Sequence, residues 1–487
     1  MIDIEVTNVM SCAKGVKDYP IVIKCLETFA PGYKYTFDYK RGRWNGRVNL
    51  FNSESFLTGL VPTVLKVIID NKIPYTITDN RKIKTISLKP SQIDLRSYQE
   101  DTVNKALTNQ YLGTWWPRGV IQICTGGGKS EVAAAMIQMT GVPTIFLVHR
   151  KDLQTQTIER FNKYGILAGE LNNIASNLIT VTTVQSLMSW SMDFSKCYIN
   201  NKGDKIQRND AWLDAKSAKQ NLLAANIKAA LENIEQVFID EAHLITSKME
   251  KIGLFSGALN LMPNAYMRWG LTATPFMKEQ LHNWMLEGAT GPAIVNINNR
   301  ELINAGYLTE CIVDMFLTGK QPDIAKTWPD CYDLGIVTNQ IRNNKIIDCF
   351  NTYEGPTLIL VSKISHGKLL SDKLNIPFLS GQSSQIDRKS AIDAIKDGKL
   401  SGIIASTIWD EGIDLPSIRC VILAGGGKSD IKNLQRLGRG LRKSEDKSYL
   451  RLIDFFDQSP FILKRHSEMR KSLWLEQGFK VNMIRAF

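Results

Sequence analysis

Val120-Ile121-Gln122-Ile123-Cys124-Thr125-Gly126-Gly127-Gly128-Lys129-Ser130 is the stretch on which the fold turns. An apolar, β-branched run, the length of one buried strand, passes straight into glycines, a lysine and a serine. Glu131–Met139 then continues with helical character. Glycines let the backbone curl so that its N–H groups face a polyphosphate, and the following helix adds the positive end of its dipole. In that geometry Thr125, Gly126, Gly127 and Gly128 cradle the phosphates. Lys129 reaches the β- and γ-phosphates, and the Ser130 hydroxyl ligates Mg²⁺. The pattern G-x-x-x-x-G-K-[ST] is met except at its first glycine, where Ile123 stands. A glycine turn with an incidental lysine is the plain alternative, and the strand–loop–helix context weighs against it.

A second element strengthens the reading. Gln236-Val237-Phe238-Ile239 is another buried strand, and it ends in Asp240-Glu241-Ala242-His243. Adjacent carboxylates at a strand end point different ways. Asp240 can hold Mg²⁺ through water while Glu241 polarises an attacking water. An isolated Asp-Glu is commonly a solvated turn, but the pairing with the Lys129 loop favours a nucleotide triphosphatase.

Outward from these motifs, short apolar runs alternate with helical patterns. Thr144–Val148 and Leu178–Thr182 join the two strands above, and the alternation restarts at Thr357–Ser362, Gly402–Thr407, Cys420–Gly425 and Tyr449–Phe456. Two such halves predict two doubly wound α/β domains with parallel sheets. Residues 1–88 read as a smaller α+β unit, with strands at Ile2–Val6, Arg47–Phe51, Tyr75–Thr78 and Ile83–Leu88 and a helix over Gly59–Asp70. The expected division is thus 1–88, 89–290 and 291–487. Asp193–Glu235 is a long connection whose Leu223, Ile227, Leu231 and Ile234 recur at helical spacing, as for a helix on the lobe's flank. No internal sequence repeat is evident.

The 487 residues are 44% hydrophobic and 22% charged, which excludes wholesale disorder. That length suits about three domains. No run approaches about 18 apolar residues, so no membrane span is expected. The start, Met1-Ile2-Asp3-Ile4-Glu5, lacks a basic segment and predicts no signal peptide. Eight scattered cysteines (Cys12, Cys25, Cys124, Cys197, Cys311, Cys331, Cys349 and Cys420) contain no C-x-x-C pair. That argues against a zinc site and for free thiols in a reducing, intracellular compartment. Sixty Lys+Arg against 48 Asp+Glu leave a net +12, which favours a polyanionic partner. Residues 1–90 carry half of that excess.

The ordered set Lys129-Ser130, Asp240-Glu241-Ala242-His243, Leu271-Thr272-Ala273-Thr274-Pro275 and Gln435-Arg436-Leu437-Gly438-Arg439-Gly440-Leu441-Arg442 resembles superfamily 2 helicases, from about Leu95 to Phe456. The resemblance implies two tandem RecA-like lobes and an ATP- and Mg²⁺-dependent motor on nucleic acid. Leu95-Arg96-Ser97-Tyr98-Gln99 is similar to the Q motif, which implies Arg96 and Gln99 near the adenine. Val148-His149-Arg150 and Thr180–Ser186 are similar to motifs Ia and Ib. They imply backbone contacts to nucleic acid from His149, Arg150, Thr182, Thr183 and Gln185. His243, Thr272 and Thr274 are implied as the relay between the two ligands, with a satisfied turn histidine as the alternative for His243. Ile404–Pro416 is similar to motif V, implying Thr407 at nucleic acid and Asp414 at the nucleotide. Gln435, Arg439 and Arg442 match motif VI, whose arginines the superfamily aims at the γ-phosphate.

Tyr39-Lys40-Arg41-Gly42-Arg43-Trp44-Asn45-Gly46-Arg47-Val48 resembles the basic, aromatic signature before the core of phage UvsW-type helicases. Relatives of the XPB and type III restriction kind share the core pattern. Arg41, Arg43 and Arg47 around Trp44 suit phosphate neutralisation with base stacking. A tight hairpin with Trp44 in its core is the other reading. The resemblance implies a DNA helicase or translocase, expected as a monomer, that remodels forked or branched DNA in repair and recombination. An RNA-directed helicase and an ATP-switched binding protein that does not unwind are the alternatives.

Overall fold

The computed structural model describes residues 1–190, 198–199, 205–206, 225–246, 257–273, 280–319, 327–353, 355–406, 418–427, 441 and 449–485. The chain forms two units: Met1–Ile123 with Gly128–Asn296, and Cys124–Gly127 with Ile297–Phe487.

The first unit opens with strands β1 (Ile2–Val6), β2 (Met10–Lys14), β3 (Glu27–Phe29), β4 (Arg47–Asn49) and β5 (Ser55–Leu57). Helix α1 (Val61–Asp70) and strand β6 (Tyr75–Asp79) follow. Four of these strands make one sheet in the order β5-β2-β1-β6. In β1, Ile2, Ile4 and Val6 alternate into the core, where they meet Val64, Leu65 and Ile68 of α1. β3 and β4 form a separate antiparallel pair.

The strand expected over Ile83–Leu88 does not form, because no neighbouring strand lies beside it. Lys84 Nζ bonds Glu235 Oε1 at 2.6 Å, and the Lys89 N–H donates to Met139 O at 2.9 Å. The segment therefore crosses the next domain with Ile83 and Ile86 half-buried and Leu88 exposed, a spacing of three that does not match a strand's two-residue period.

The larger part of this unit contains α2 (Ser97–Leu107), β7 (Arg118–Ile123), α3 (Lys129–Thr140), β8 (Thr144–Val148), α4 (Lys151–Lys163), β9 (Ala168–Gly169) and β10 (Ile179–Thr183). β11 (Gln236–Ile239), β12 (Met267–Thr272), α5 (Gln280–Ala289) and β13 (Ala293–Ile297) complete it. Its seven-stranded sheet runs β9-β10-β8-β11-β12-β7-β13. That sheet extends past the limit expected at residue 290. Ile227, Leu231 and Ile234 pack into its core, as the helical spacing of that segment predicts, while Leu223 lies outside the described residues.

The second unit holds β14 (Glu310–Leu317), α6 (Gln340–Thr352), β15 (Thr357–Leu360), β16 (Phe378–Leu379), β17 (Gly402–Ala405), β18 (Cys420–Leu423), β19 (Tyr449–Phe456), α7 (Phe461–Glu476) and β20 (Lys480–Arg485). Its sheet runs β16-β17-β15-β18-β19-β14-β20. Counted from the first strand of each sheet, the two orders are identical. The ladders are parallel in both, as the β-branched runs predict. Two tandem doubly wound lobes therefore follow a small α+β sheet. The duplication is one of topology, since the sequence carries no repeat. Among the described residues no helix is long and apolar enough to cross a membrane.

The small sheet is fastened to the lobe behind it. Trp116 and Trp284 fill its core. Arg118 is fully buried, and its guanidinium donates to Thr290 O at 2.8 Å, Asn8 O at 3.2 Å and Ala289 O at 3.5 Å. A Cβ on Gly59 would stand 1.8 Å from Glu287 O, so α5 and the turn before α1 meet backbone to backbone.

Burial at this joint raises the Glu287 carboxyl from 4.5 to about 7. The folded protein then holds a proton that the unfolded chain releases, so Glu287 weakens stability as pH rises from about 4.5 to about 7. Glu287→Gln is expected to flatten that part of a melting-temperature profile and to raise the melting temperature at pH 8. A parallel, unshifted profile would contradict the assignment.

Candidate functional site

The phosphate loop follows directly from β7. Gly126 and Gly128 take left-handed φ values of 85° and 82°, which a side chain would strain. Gly128 is constrained twice over, because a Cβ there would lie 2.0 Å from Gln99 Nε2. Gln99 is buried at the start of α2, and its Oε1 accepts the Arg96 N–H at 2.9 Å. The amide nitrogen is thereby turned toward the loop. Arg96 itself is exposed, with Nη1 3.4 Å from Tyr98 Oη.

Parallel strands place the other motifs at one edge of the sheet. β11, β12 and β7 are consecutive neighbours, so Asp240, Thr272 and the loop all emerge at their carboxyl ends. The Glu241 N–H donates to Asp240 Oδ1 at 3.0 Å. Glu241 itself adopts φ 47°, a left-handed conformation that costs strain in a residue with a side chain. The His243 Nδ1 lies 3.4 Å from Glu241 Oε2 and 3.2 Å from Thr272 Oγ1. His243 therefore connects the acidic pair to the end of β12.

Burial, and then the Glu241 charge, push the Asp240 carboxyl above its usual range, while Lys129 pulls it back. Burial lowers the His243 imidazole, Lys129 adds to that effect and Glu241 opposes it, which favours the neutral ring. Ser130 Oγ and the Asp240 carboxylate are hard oxygen donors beside crowded negative charge. That donor set fits Mg²⁺, which uses few protein ligands together with substrate phosphates.

The residues expected to touch nucleic acid fall elsewhere. His149 and exposed Arg150 end β8. Thr182 and Thr183 are buried at the end of β10. Thr183 Oγ1 shares a 2.9 Å hydrogen bond with Ser186 Oγ and accepts the Ser186 N–H at 3.1 Å. Thr183 thus shapes the turn that leaves Gln185 exposed, while Thr182 faces the core.

In the N-terminal sheet domain, Arg41, Arg43 and Arg47 are exposed, and Trp44 is half-buried with Nε1 donating to Arg47 O at 2.9 Å. The indole closes the loop and keeps part of its surface in solvent, so elements of both readings coexist. Arg41 lies 3.9 Å over the Phe37 ring and Arg47 4.8 Å over Phe29. Thr274, Thr407, Asp414, Gln435, Arg439 and Arg442 lie outside the described residues.

One neighbour escapes a motif search. Arg160 of α4 donates to Ser130 Oγ at 2.8 Å, and Tyr164 donates to Glu131 Oε1 at 3.0 Å. Neither belongs to a motif. Only the spacing of four between Arg160 on α4 and Tyr164 at its C-terminal cap was available as a signal.

Comparison with known proteins agrees with this geometry. The family described as type III restriction enzyme, res subunit, matches residues 92–277, and the helicase conserved C-terminal domain matches residues 334–444. The "DNA 3'-5' translocase XPB2" of Sulfurisphaera tokodaii is 24% identical, over 74% of this chain and 81% of that protein. The "ATP-dependent DNA helicase uvsW" of Enterobacteria phage T4 is 22% identical, over 93% of this chain and 89% of that protein. A solved structure of Dbp5 from S. cerevisiae, bound to RNA and ADP BeF3, is 16% identical with a TM-score of 0.50, covering 88% of this chain and 94% of that one. That last likeness concerns the fold. With motif order, twin parallel sheets and both family matches in agreement, the chain belongs to the superfamily 2 helicases, which hydrolyse ATP to move along or separate nucleic-acid strands.

Proposed function

We propose that this helicase acts on DNA, and on forked or branched DNA in particular, in branch migration, fork reversal and recombinational repair. The observation that carries the motor reading is the convergence of Lys129, Asp240, Glu241, His243 and Thr272 at one edge of the first large sheet. The DNA reading is supported by relatives named as DNA translocases and helicases. The branched-substrate reading is supported by the resemblance of Tyr39–Val48 and by its exposed arginines beside aromatic rings. The relative named as a 3′–5′ translocase supports 3′–5′ polarity.

In this mechanism Thr125 to Gly128 wrap the phosphates, Lys129 neutralises them, and Gln99 with Arg96 faces the base. Ser130 and Asp240 hold Mg²⁺, which when bound offsets charge on the β- and γ-phosphates. Glu241 accepts the proton of the attacking water. His243 and Thr272 carry the change of state toward His149, Arg150 and Gln185, whose contacts are to the sugar–phosphate backbone. Gln435, Arg439 and Arg442 stabilise transferred charge, and Thr407 and Asp414 serve nucleic acid and nucleotide. Residues 1–88 recognise the branch, 89–290 form the first motor lobe, completed by β13, and 291–487 form the second.

The test is ATP hydrolysis with no polymer, single-stranded DNA, duplex, fork, four-way junction and the RNA equivalents. Preferential stimulation by forks and junctions is expected. Equal or greater stimulation by RNA would sink the DNA assignment in favour of the RNA-directed reading. Stimulated turnover without strand displacement on 3′-tailed forks would favour the ATP-switched binding protein.

A further inference from the structure

Helix α4 brings a second side-chain cation to the phosphate site. Arg160 Nη1 donates to Ser130 Oγ at 2.8 Å, and that oxygen is the ligand assigned above to Mg²⁺. The same guanidinium is close enough to Asp240 to favour its carboxylate form, as Lys129 does. One positive group therefore serves both metal ligands. A divalent ion binds a hydroxyl oxygen at about 2.1 Å and tolerates no guanidinium on the same side of it. Placing +2 beside +1 is also repulsive at that range.

The helix that carries Arg160 is anchored independently of it. Phe161 is fully buried, with its ring 5.1 Å from that of Phe146. One turn on, Tyr164 donates to Glu131 Oε1 at 3.0 Å. Arg160 on α4 and Tyr164 at its C-terminal cap thus engage consecutive residues at the start of α3. The exposed Arg160 head can leave Ser130 while the helix stays in place.

We propose that Arg160 competes with the divalent cation for Ser130, so that it acts as a positioning residue that sets how much Mg²⁺ the nucleotide site requires. This rests on the nucleotide and metal reading above. The guanidinium withdraws from Ser130 when metal and nucleotide enter together. Nucleotide without metal leaves the Arg160–Ser130 bond in place.

The experiment titrates a fluorescent ADP analogue against wild type, Arg160→Met, Tyr164→Phe and Lys129→Ala, across Mg²⁺ concentrations and in EDTA. Loss of one exposed charge-assisted hydrogen bond as a competitor is expected to lower the Mg²⁺ midpoint of Arg160→Met by about three- to tenfold. Affinity in EDTA should stay within about twofold of wild type. Tyr164→Phe, which loosens α4 and keeps Arg160, should leave the midpoint in place.

An unmoved or raised midpoint in Arg160→Met would overturn the proposal, the raised one by showing that Arg160 holds phosphate. An equal fall in Tyr164→Phe would overturn it too, in favour of general loosening. These failures are separable from failure of the underlying reading. If wild type bound no nucleotide and matched Lys129→Ala at every Mg²⁺ concentration, the site itself would be lost.

Discussion

ATP turnover by the Glu241→Gln protein is expected to fall by about 10²- to 10⁴-fold while binding of nucleic acid survives. Glutamine keeps the shape of the side chain and a hydrogen-bonding partner for His243, whose Nδ1 lies 3.4 Å from Glu241 Oε2. It cannot take the proton that the attacking water must lose. The left-handed turn at Glu241, φ 47°, does not change with the substitution, so the loss is chemical. Lys129→Ala should abolish turnover by a different route, because it removes the loop's own positive charge and weakens nucleotide binding as well. Steady-state phosphate release, nucleotide titration and polymer binding by fluorescence anisotropy separate the two. Undiminished turnover in either variant would contradict the assignment.

The second large effect concerns stability of the second unit. Asp454 and Arg470 are both fully buried, and Arg470 Nε lies 3.0 Å from each carboxylate oxygen. Trp474 Nε1 and the Phe455 N–H also donate to that carboxylate, at 2.9 and 2.7 Å. Asp454→Asn removes the carboxylate bonded to a buried guanidinium and leaves it only the charge of Asp457, which is already paired with Arg342, a change that costs about 3–5 kcal/mol. A fall of about 1–2 M in the unit's urea midpoint should follow. Replacing both partners by apolar residues would recover part of this loss only. Arg470 also donates to Gly427 O and to Phe455 O, each at 2.7 Å, and both carbonyls would lose that donor, leaving Phe455 O with a 3.4 Å bond from Ser467 Oγ. A midpoint within experimental error of wild type in Asp454→Asn would refute the argument.

The same chemistry explains what the sequence conceals. Strands such as Thr144–Val148 and Thr357–Leu360 are legible because their apolar runs need no partner to be recognised. β12 and β14 are harder, since each carries a charge that belongs on a surface. Arg268 in β12 is buried because Ala265 O and Met262 O accept from it at 2.9 Å. Asp314 in β14 is buried because Arg451, Tyr353 and Asn482 surround it. The partners of Asp314 lie 39 to 168 positions away, and the acceptors of Arg268 are backbone carbonyls, so no side-chain pattern announces either. The candidate site is legible because Lys129-Ser130 and Asp240-Glu241 concentrate their chemistry in contiguous residues. Arg160 does not, because its partner is thirty positions away on another helix.

Arg118 bears on how force would travel through the molecule. Its guanidinium ties Asn8, beside the first strand of the small sheet, to the last carbonyls of α5. Asn8 Nδ2 adds a bond of its own to Pro263 O at 3.1 Å. Fastened at these points, the small sheet has no slack against the lobe it sits on and behaves as an outrigger, with no tether to take up. A pull applied to that sheet would load the first large lobe directly through these bonds, rather than first straightening a linker.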